Sequence, residues 1–339
     1  MAAASTHVAH ASQLRQEERV AASADITRAL ELLKAGGLVG LPTETVYGLA
    51  ADASNELAVR RIFAAKGRPS THPLIVHVAS VEKAREWCTT LTAMGEKLAA
   101  EFWPGPLTLI VPRNEKASDA VTGGQDTVGL RVPSHPLAHA LLTLFGGGLA
   151  APSANRFGRV SPTTSAHVEE ELGDVIELIL EGGASNVGVE STIVDVAHGM
   201  PRLLRPGGIS REAIEKVLCQ PLIDGGHATD VRAPGMLESH YAPRAGLLLV
   251  TADELPGELS RLAGVRVVVI AGESVGVPDG VTKLAMPDDA AGFARELYAS
   301  LREADGLGEL ILAVPPPESG LGLAVRDRLR RAAAPRPAK

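Results

Sequence analysis

Between Leu38 and Ser80 the chain sets hydroxyls, cations and imidazoles where one apolar run after another ends. Thr43 and Thr45 lie in Pro42–Gly48, directly after the run Leu38–Leu41. Lys66 and Arg68 flank Gly67 at the close of a segment with helical spacing, and His72 and His77 belong to the next stretch, Pro73–Ala79 carrying the second of them. In open α/β sheets, ligands lie beyond the carboxyl ends of strands. Cations and hydroxyls gathered there suit an anion, a triphosphate among them. The same residues also fit a plainer arrangement, in which Lys66 and Arg68 are solvated helix-end cations favoured by the macrodipole and the threonines are ordinary turn residues.

The elements that must position these groups are legible in the periodicity. Leu38–Leu41 reads as a buried strand bounded by Gly37 and Pro42. Ser54 is predicted to cap a helix whose apolar face is Leu57, Val59, Ile62 and Phe63, ended by Gly67. Pro73–Ala79, Leu107–Val111, Thr127–Val132, Leu149–Ala151, Val175–Glu181, Ser191–Val196 and Arg202–Arg205 read as further strands. Helices are predicted at Asp25–Lys34, Ser80–Trp87, Thr92–Trp103, Ser134–Phe145, Ala166–Leu172 and, capped by Ser210, Arg211–Leu218. Asn114–Asp126 reads as a loop. Gln220–Gly246 lacks periodicity and is rich in Gly, Pro and Asp, as a linker would be. Beyond it the runs Leu247–Val250, Val265–Ala271 and Leu310–Val314 alternate with helical segments Leu255–Leu262, Asp288–Ala304 and Leu321–Ala334. That alternation implies a small, mostly parallel sheet.

The wording of two segments is specific. PTETVYGL followed by KGRPSTHPLIVH resembles the signature of the YrdC-like domain of threonylcarbamoyl-AMP synthases, and later segments match in order over about Ala24–Ser210. The linker and C-terminal part resemble the long form of that family. The fold implied is α/β: a YrdC-like twisted open sheet with helices over residues 23–211, a linker or lid loop over 212–245, and a smaller Rossmann-like α/β domain over 246–339. Residues 1–22 are expected to be a loose tail.

Carried over position by position, the resemblance puts threonine against Thr45, His77, Arg131, the backbone at Ala151, and Ser191. Arg131 suits an amino-acid carboxylate, since its planar fork donates two parallel hydrogen bonds. ATP would meet Lys66, Arg68, His72, Thr127, Ser153, Asn155, Ser161, Arg205 and Tyr241; of these, Lys66, Arg68, Ser153 and Asn155 are the catalytic candidates. The reaction implied joins L-threonine, bicarbonate or CO2, and ATP into threonylcarbamoyl-AMP and pyrophosphate, a nucleotidyl transfer serving threonylcarbamoyladenosine modification of tRNA. Mg²⁺ is expected with ATP, held by phosphate oxygens and water. The partner expected downstream is the tRNA threonylcarbamoyl transferase complex, with direct tRNA contact a further expectation. Two departures touch the linker: Ala233-Pro234-Gly235-Met236 stands where the family often has Ser-Pro-Gly-Met, and Ser239 rather than a basic residue precedes His240-Tyr241-Ala242-Pro243.

Composition sets the outer limits. The 339 residues suit two domains, and 45% hydrophobic with 22% charged residues is ordinary for a globular protein. No apolar run approaches the ~20 residues of a membrane span. Two cysteines give no disulfide framework, as expected in a reducing cytoplasm. A net charge of −7 argues against broad nucleic-acid binding. The rival reading is a double-stranded RNA or tRNA-binding module without catalysis, holding RNA by shape. Gly272–Gly276 fits G-x-S-x-G, yet Pro278 and Gly280 follow and all ten histidines precede Ser274, against a hydrolase elbow. His135 and His139 lack a third zinc ligand. Arg326, Arg328, Arg330 and Arg331 are predicted to form a solvated helix face.

Overall fold

The computed structural model describes residues 24–225 and 231–335; the expected tail, 1–22, lies outside the described residues. Ten strands make the first sheet: β1 (Val39–Leu41), β2 (Gly48–Asp52), β3 (Ile75–His77), β4 (Leu107–Pro112), β5 (Thr127–Arg131), β6 (Leu149–Ala150), β7 (Leu178–Ile179), β8 (Thr192–Asp195), β9 (Arg202–Arg205) and β10 (Ile223–Asp224). Their order across the sheet is β10-β9-β8-β4-β5-β3-β6-β2-β1-β7, with parallel and antiparallel pairs mixed. The second sheet is parallel throughout, as the βα alternation implied. It orders β11 (Gly246–Leu249), β14 (Leu310–Ala313), β12 (Val267–Gly272) and β13 (Thr282–Met286).

Register brings the chemistry together. β3 runs parallel to β5 with His77 opposite Arg131, and β6 lies antiparallel to β3 with Leu149 opposite His77. β4 joins β5 to β8, so the strand that starts just after Ser191 lies two places from the one that ends on Arg131. The β1–β2 pair folds the 42–47 segment into a tight connection. There the Thr43 hydroxyl donates to the Val46 carbonyl at 2.6 Å, and the Val46 amide returns to it at 3.3 Å. A short polar side chain thus does the work of backbone in the turn.

Several expectations shift. Helix Glu56–Lys66 is capped by Asn55, not Ser54: the Asn55 carboxamide oxygen accepts from the amides of Leu57 (3.1 Å) and Ala58 (3.2 Å). That phase turns Leu57 outward, 76% exposed, and the buried face is Ala58, Val59, Ile62 and Phe63. The helix does close on Gly67 at φ +61, where a Cβ would be strained. Helix Pro136–Phe145 starts at His135 without a side-chain cap bond. Strands β2 and β13 were not foreseen. Val175–Glu181 contributes only its middle as β7, and the Asn114–Asp126 loop holds the short helix Asp119–Thr122. Helix Arg211–Leu218 forms under its Ser210 cap as expected, and strand β10 follows it; Ile214, Leu218 and Leu222 are buried in the core of the first sheet.

The two sheets share a hydrophobic cluster. Val46, Val160, Val189 and Tyr241 pack with Phe293, Leu297, Tyr298, Leu301, Val325 and Leu329, the last six from helices Ala290–Leu307 and Gly322–Ala333. Burial on this scale is the dominant favourable term holding one element against another. Arg328 lies inside it with no exposed surface, so the expected solvated arginine face is wrong at its centre. The reason is pairing: its guanidinium meets Glu190 and Asp327, which makes burial of the charge tolerable.

Candidate active site

One cavity collects most of the residues singled out from the sequence. Its wall is built from the 43–48 turn, the helix end at Lys66 and Arg68, the strand ends at His77 and Arg131, the 151–157 segment, Glu190, Ser191, Arg205 and the returning linker. Thr45, Lys66, Arg68, His77, Arg131, Ala151, Ser153, Asn155, Ser191, Arg205 and Tyr241 all face it. Three candidates do not line it. Ser161 sits behind the wall and donates to Glu190 at 2.6 Å. Thr127 lines a small neighbouring pocket with Ile110, Arg232 and Pro234. His72 stacks edge-on against Phe157, whose ring does face the cavity.

The cations are held by backbone carbonyls. Lys66 Nζ donates to the carbonyls of Ser153 and Asn155, both at 2.5 Å, so the helix end fixes the 153–155 segment. Burial, with Arg68 adding to it, pulls the Lys66 ammonium well below the lysine range, while Glu171 acts the other way. Arg68 donates to the Pro73 carbonyl at 2.9 Å, keeps Nε unpartnered, and is brought down to about 10 chiefly by burial. Arg205 reaches the Ser191 carbonyl through Nε (3.1 Å) and Nη2 (2.9 Å), the Ser191 hydroxyl through Nη2 (3.1 Å), and the Pro234 carbonyl through Nη1 (3.0 Å). Strand β9 is thereby tied both to Ser191 and to the linker.

Arg131 works differently. Nε donates to the Gly105 carbonyl (3.3 Å), Nη1 to the Thr45 hydroxyl (2.9 Å), and Nη2 lies 2.7 Å from Glu44 Oε1 without alignment for a hydrogen bond. Burial alone would raise the Glu44 carboxyl, yet the Arg131 charge and hydrogen bonding outweigh it and hold it low. Of the five N–H groups of a guanidinium, three therefore have no hydrogen-bond partner, one on Nη1 and both on Nη2, which faces the Glu44 carboxylate. Beside it, His77 keeps Nδ1 unpartnered and is driven down to about 3 by burial and the Arg131 charge, so it is neutral.

The linker forms the remaining wall. Pro234, Gly235, His240 and Tyr241 face the cavity. Arg232 anchors the strap to the Thr71 (2.9 Å) and Gly123 (2.8 Å) carbonyls and exchanges bonds with Gln125. Tyr241 adopts φ +60, uncommon for a side-chain-bearing residue; its ring stacks with Tyr298 at 5.8 Å, and the Arg328 guanidinium lies 5.1 Å from it. Glu44, Phe157 and Glu190 are site residues that the sequence reading did not single out, whereas Pro234 and Gly235 belong to the linker motif it named. An acid within VGVEST, directly before Ser191, was the signal that could have marked Glu190.

Such a wall is suited to a polyanion next to a small carboxylate. As a magnesium cage it fits poorly: among the described residues no group of three His, Cys, Asp or Glu could hold a metal. Its nearby carboxylates, Glu44 and Glu190, are each paired with a buried arginine. Among the described residues no helix is long and apolar enough to cross a membrane.

Comparison with known proteins decides the family. Residues 31–207 match the family described as telomere recombination, and residues 209–334 match the C-terminal domain of threonylcarbamoyl-AMP synthase. The threonylcarbamoyl-AMP synthase of Pyrococcus abyssi is 43% identical over 313 residues, covering 88% of this chain and 91% of that protein. The chain belongs to the threonylcarbamoyl-AMP synthase family. A second threonylcarbamoyl-AMP synthase, from Bacillus subtilis, is 40% identical over 322 residues and covers 91% and 92% of the two chains. In structure, the chain resembles the Sua5 protein of P. abyssi complexed with L-threonine, with a TM-score of 0.85 at 43% identity over 91% of this chain and 94% of that one. The two-domain form of the synthase family, catalytic sheet followed by parallel C-terminal sheet, is thus the one present here.

Proposed function

We propose that this chain is an L-threonylcarbamoyladenylate synthase, condensing L-threonine, bicarbonate or CO2, and ATP into threonylcarbamoyl-AMP with release of pyrophosphate. The observation that carries the reading is the joining of two recognition chemistries in one buried cavity: the N–H groups of Arg131 that have no hydrogen-bond partner, and the cluster of Lys66, Arg68 and Arg205. The first suits the threonine carboxylate, the second the nucleotide phosphates. In this scheme the threonine amine gives up a proton as it adds to CO2. A carbamate oxygen then attacks the α-phosphorus, the new P–O bond forming as the bond to the β-phosphate bridge breaks, and pyrophosphate leaves.

Little covalent work falls to the protein, so positioning and charge neutralisation carry the rate. His77, neutral, serves as a fixed hydrogen-bonding partner rather than a source of protons. Lys66 orients the Ser153 and Asn155 segment, and Ser191 and Arg205 act as one bonded unit. His240 and Tyr241 keep water from the activated carbamoyl group in the manner of a lid. Mg²⁺ enters as part of the MgATP substrate, held by phosphate oxygens and water. The product would pass, in the cytoplasm, to a tRNA threonylcarbamoyl transferase complex. The likeness to a protein solved with L-threonine supports this over a purely RNA-binding module. The test is product identity: full-length protein with MgATP, bicarbonate and L-threonine is expected to give a species with the mass of AMP joined to carbamoylated threonine. AMP alone, with no adduct, contradicts the proposal.

A further inference from the structure

The cavity that must accept a polyanion contains a carboxylate in its wall. Among the described lining residues Glu190 alone is acidic, beside Lys66, Arg68, Arg131 and Arg205. It is 5% exposed, so water does little to screen it. Its partners come from two directions. From the catalytic sheet, Ser161 donates at 2.6 Å; from the C-terminal domain, Tyr298 donates to both oxygens at 3.1 and 2.9 Å, and Arg328 Nε donates at 2.7 Å. Arg328 also bonds Asp327 at 2.6 Å and the Pro206 carbonyl at 3.0 Å, and lies over the Tyr241 ring. One side chain of the C-terminal domain therefore touches the residue before Ser191, the residue after Arg205, and the linker tyrosine.

We infer that Arg328 is a positioning residue that neutralises Glu190 and so lets the nucleotide cavity take up a polyanion. The inference rests on the proposal that ATP binds here, and adds to it a task for the C-terminal domain that the catalytic domain cannot perform alone. With Arg328 in place Glu190 is a paired structural acceptor, and the four lining cations face the phosphates unopposed. Without it, a buried negative charge stands in the wall against the phosphates. Asp327 does not offset this, since it is itself an anion beside Arg328 and Arg331.

The experiment is a double-substitution cycle in the full chain, with Kd measured by calorimetry for ATP and for adenosine on the wild type, Arg328→Gln, Glu190→Gln and the pair. A general loosening of the fold would weaken both ligands alike; an uncompensated charge weakens ATP selectively. Arg328→Gln is expected to raise the Kd of ATP at least tenfold more than that of adenosine, as one uncompensated charge within about 12 Å at an effective dielectric of ~20 implies. Adding Glu190→Gln should return most of that loss, and Arg328→Lys should retain most of the ATP affinity. Glu190→Gln alone should bind ATP at least as tightly as the wild type, which keeps the test decisive should Arg328→Gln not fold. Equal losses for ATP and adenosine, or no recovery in the pair, overturn the inference while leaving ATP binding intact. A wild type that binds no ATP overturns the synthase reading and this inference with it.

Discussion

Arg131 and Glu44 lie 2.7 Å apart, both buried, on the strand end and the turn that meet at the floor of the cavity. The pair sets the fork: the Glu44 carboxylate faces Nη2, and in the proposed reading the substrate carboxylate takes the N–H groups that have no hydrogen-bond partner. Arg131→Ala is expected to cost about 2–4 kcal/mol in threonine binding, since a charge-assisted pair is lost in a desolvated site. ATP affinity should change far less. Calorimetry with each ligand separately checks this, and unchanged threonine affinity would remove Arg131 from its role.

Lys66 differs from a surface cation in being buried, with two carbonyls on its ammonium. Lys66→Met should leave both carbonyls short of a donor and lower adduct formation by roughly 2–4 kcal/mol in transition-state terms, a factor of about 30 to 1,000. Lys66→Arg should not restore it, because a planar fork does not fit where a compact ammonium sits between two carbonyls. Initial rates of the three proteins decide the matter.

Gly235 has φ +84, and a Cβ built there would run into the Tyr241 hydroxyl and the Arg205 side chain. Gly235→Ala is expected to disturb both cavity groups and raise the KM for ATP several-fold. The melting temperature should fall by only a few degrees, since the residue is in the linker rather than in either core. A normal KM for ATP would show that the strap tolerates the displacement.

Acid should act through three buried groups with known sign. His77 and His240 are both held down at about 3, burial first among the causes. The stability each supports is present above the unfolded value of 6.5 and is lost as pH falls from there toward 3. Burial alone would raise Glu190, but Arg328, Arg205 and the Ser161 hydrogen bond overcome it and bring the carboxyl to about 2. Its contribution, about 3 kcal/mol by linkage, is present above 4.5 and fades between 4.5 and 2. Urea unfolding at stepped pH is therefore expected to show stability declining below about 6.5 and more steeply below 4.5. In Glu190→Gln the second decline should be weaker. Stability independent of pH between 7 and 4 would contradict these assignments.

What the sequence disclosed, and what it did not, divides by range. The strands ending on His77 and Arg131, the Gly67 stop and the Ser210 cap are local patterns, and a single helical turn or alternating run carries each. The 43–48 turn and the Lys66-Gly67-Arg68 corner were legible for the same reason. The cap at Asn55 was missed by one residue because Ser54 and Asn55 are equally good acceptors, and only the phase of Val59 and Ile62 in the core separates them. Glu190 with Arg328 was illegible on different grounds. The two lie 138 positions apart, and an arginine run on a helix looks solvated until the partner that buries it is known. Tyr298, in the middle of an ordinary amphipathic helix, gave no sign that its hydroxyl meets the same carboxylate.

The central claim is that threonine and ATP meet in one cavity and react. The most direct measurement is pyrophosphate release by full-length protein with MgATP and bicarbonate, with and without L-threonine. Release should depend on threonine, saturate with it, and fall together with threonine affinity in Arg131→Ala. Release at the same rate whether threonine is present or absent would contradict the account.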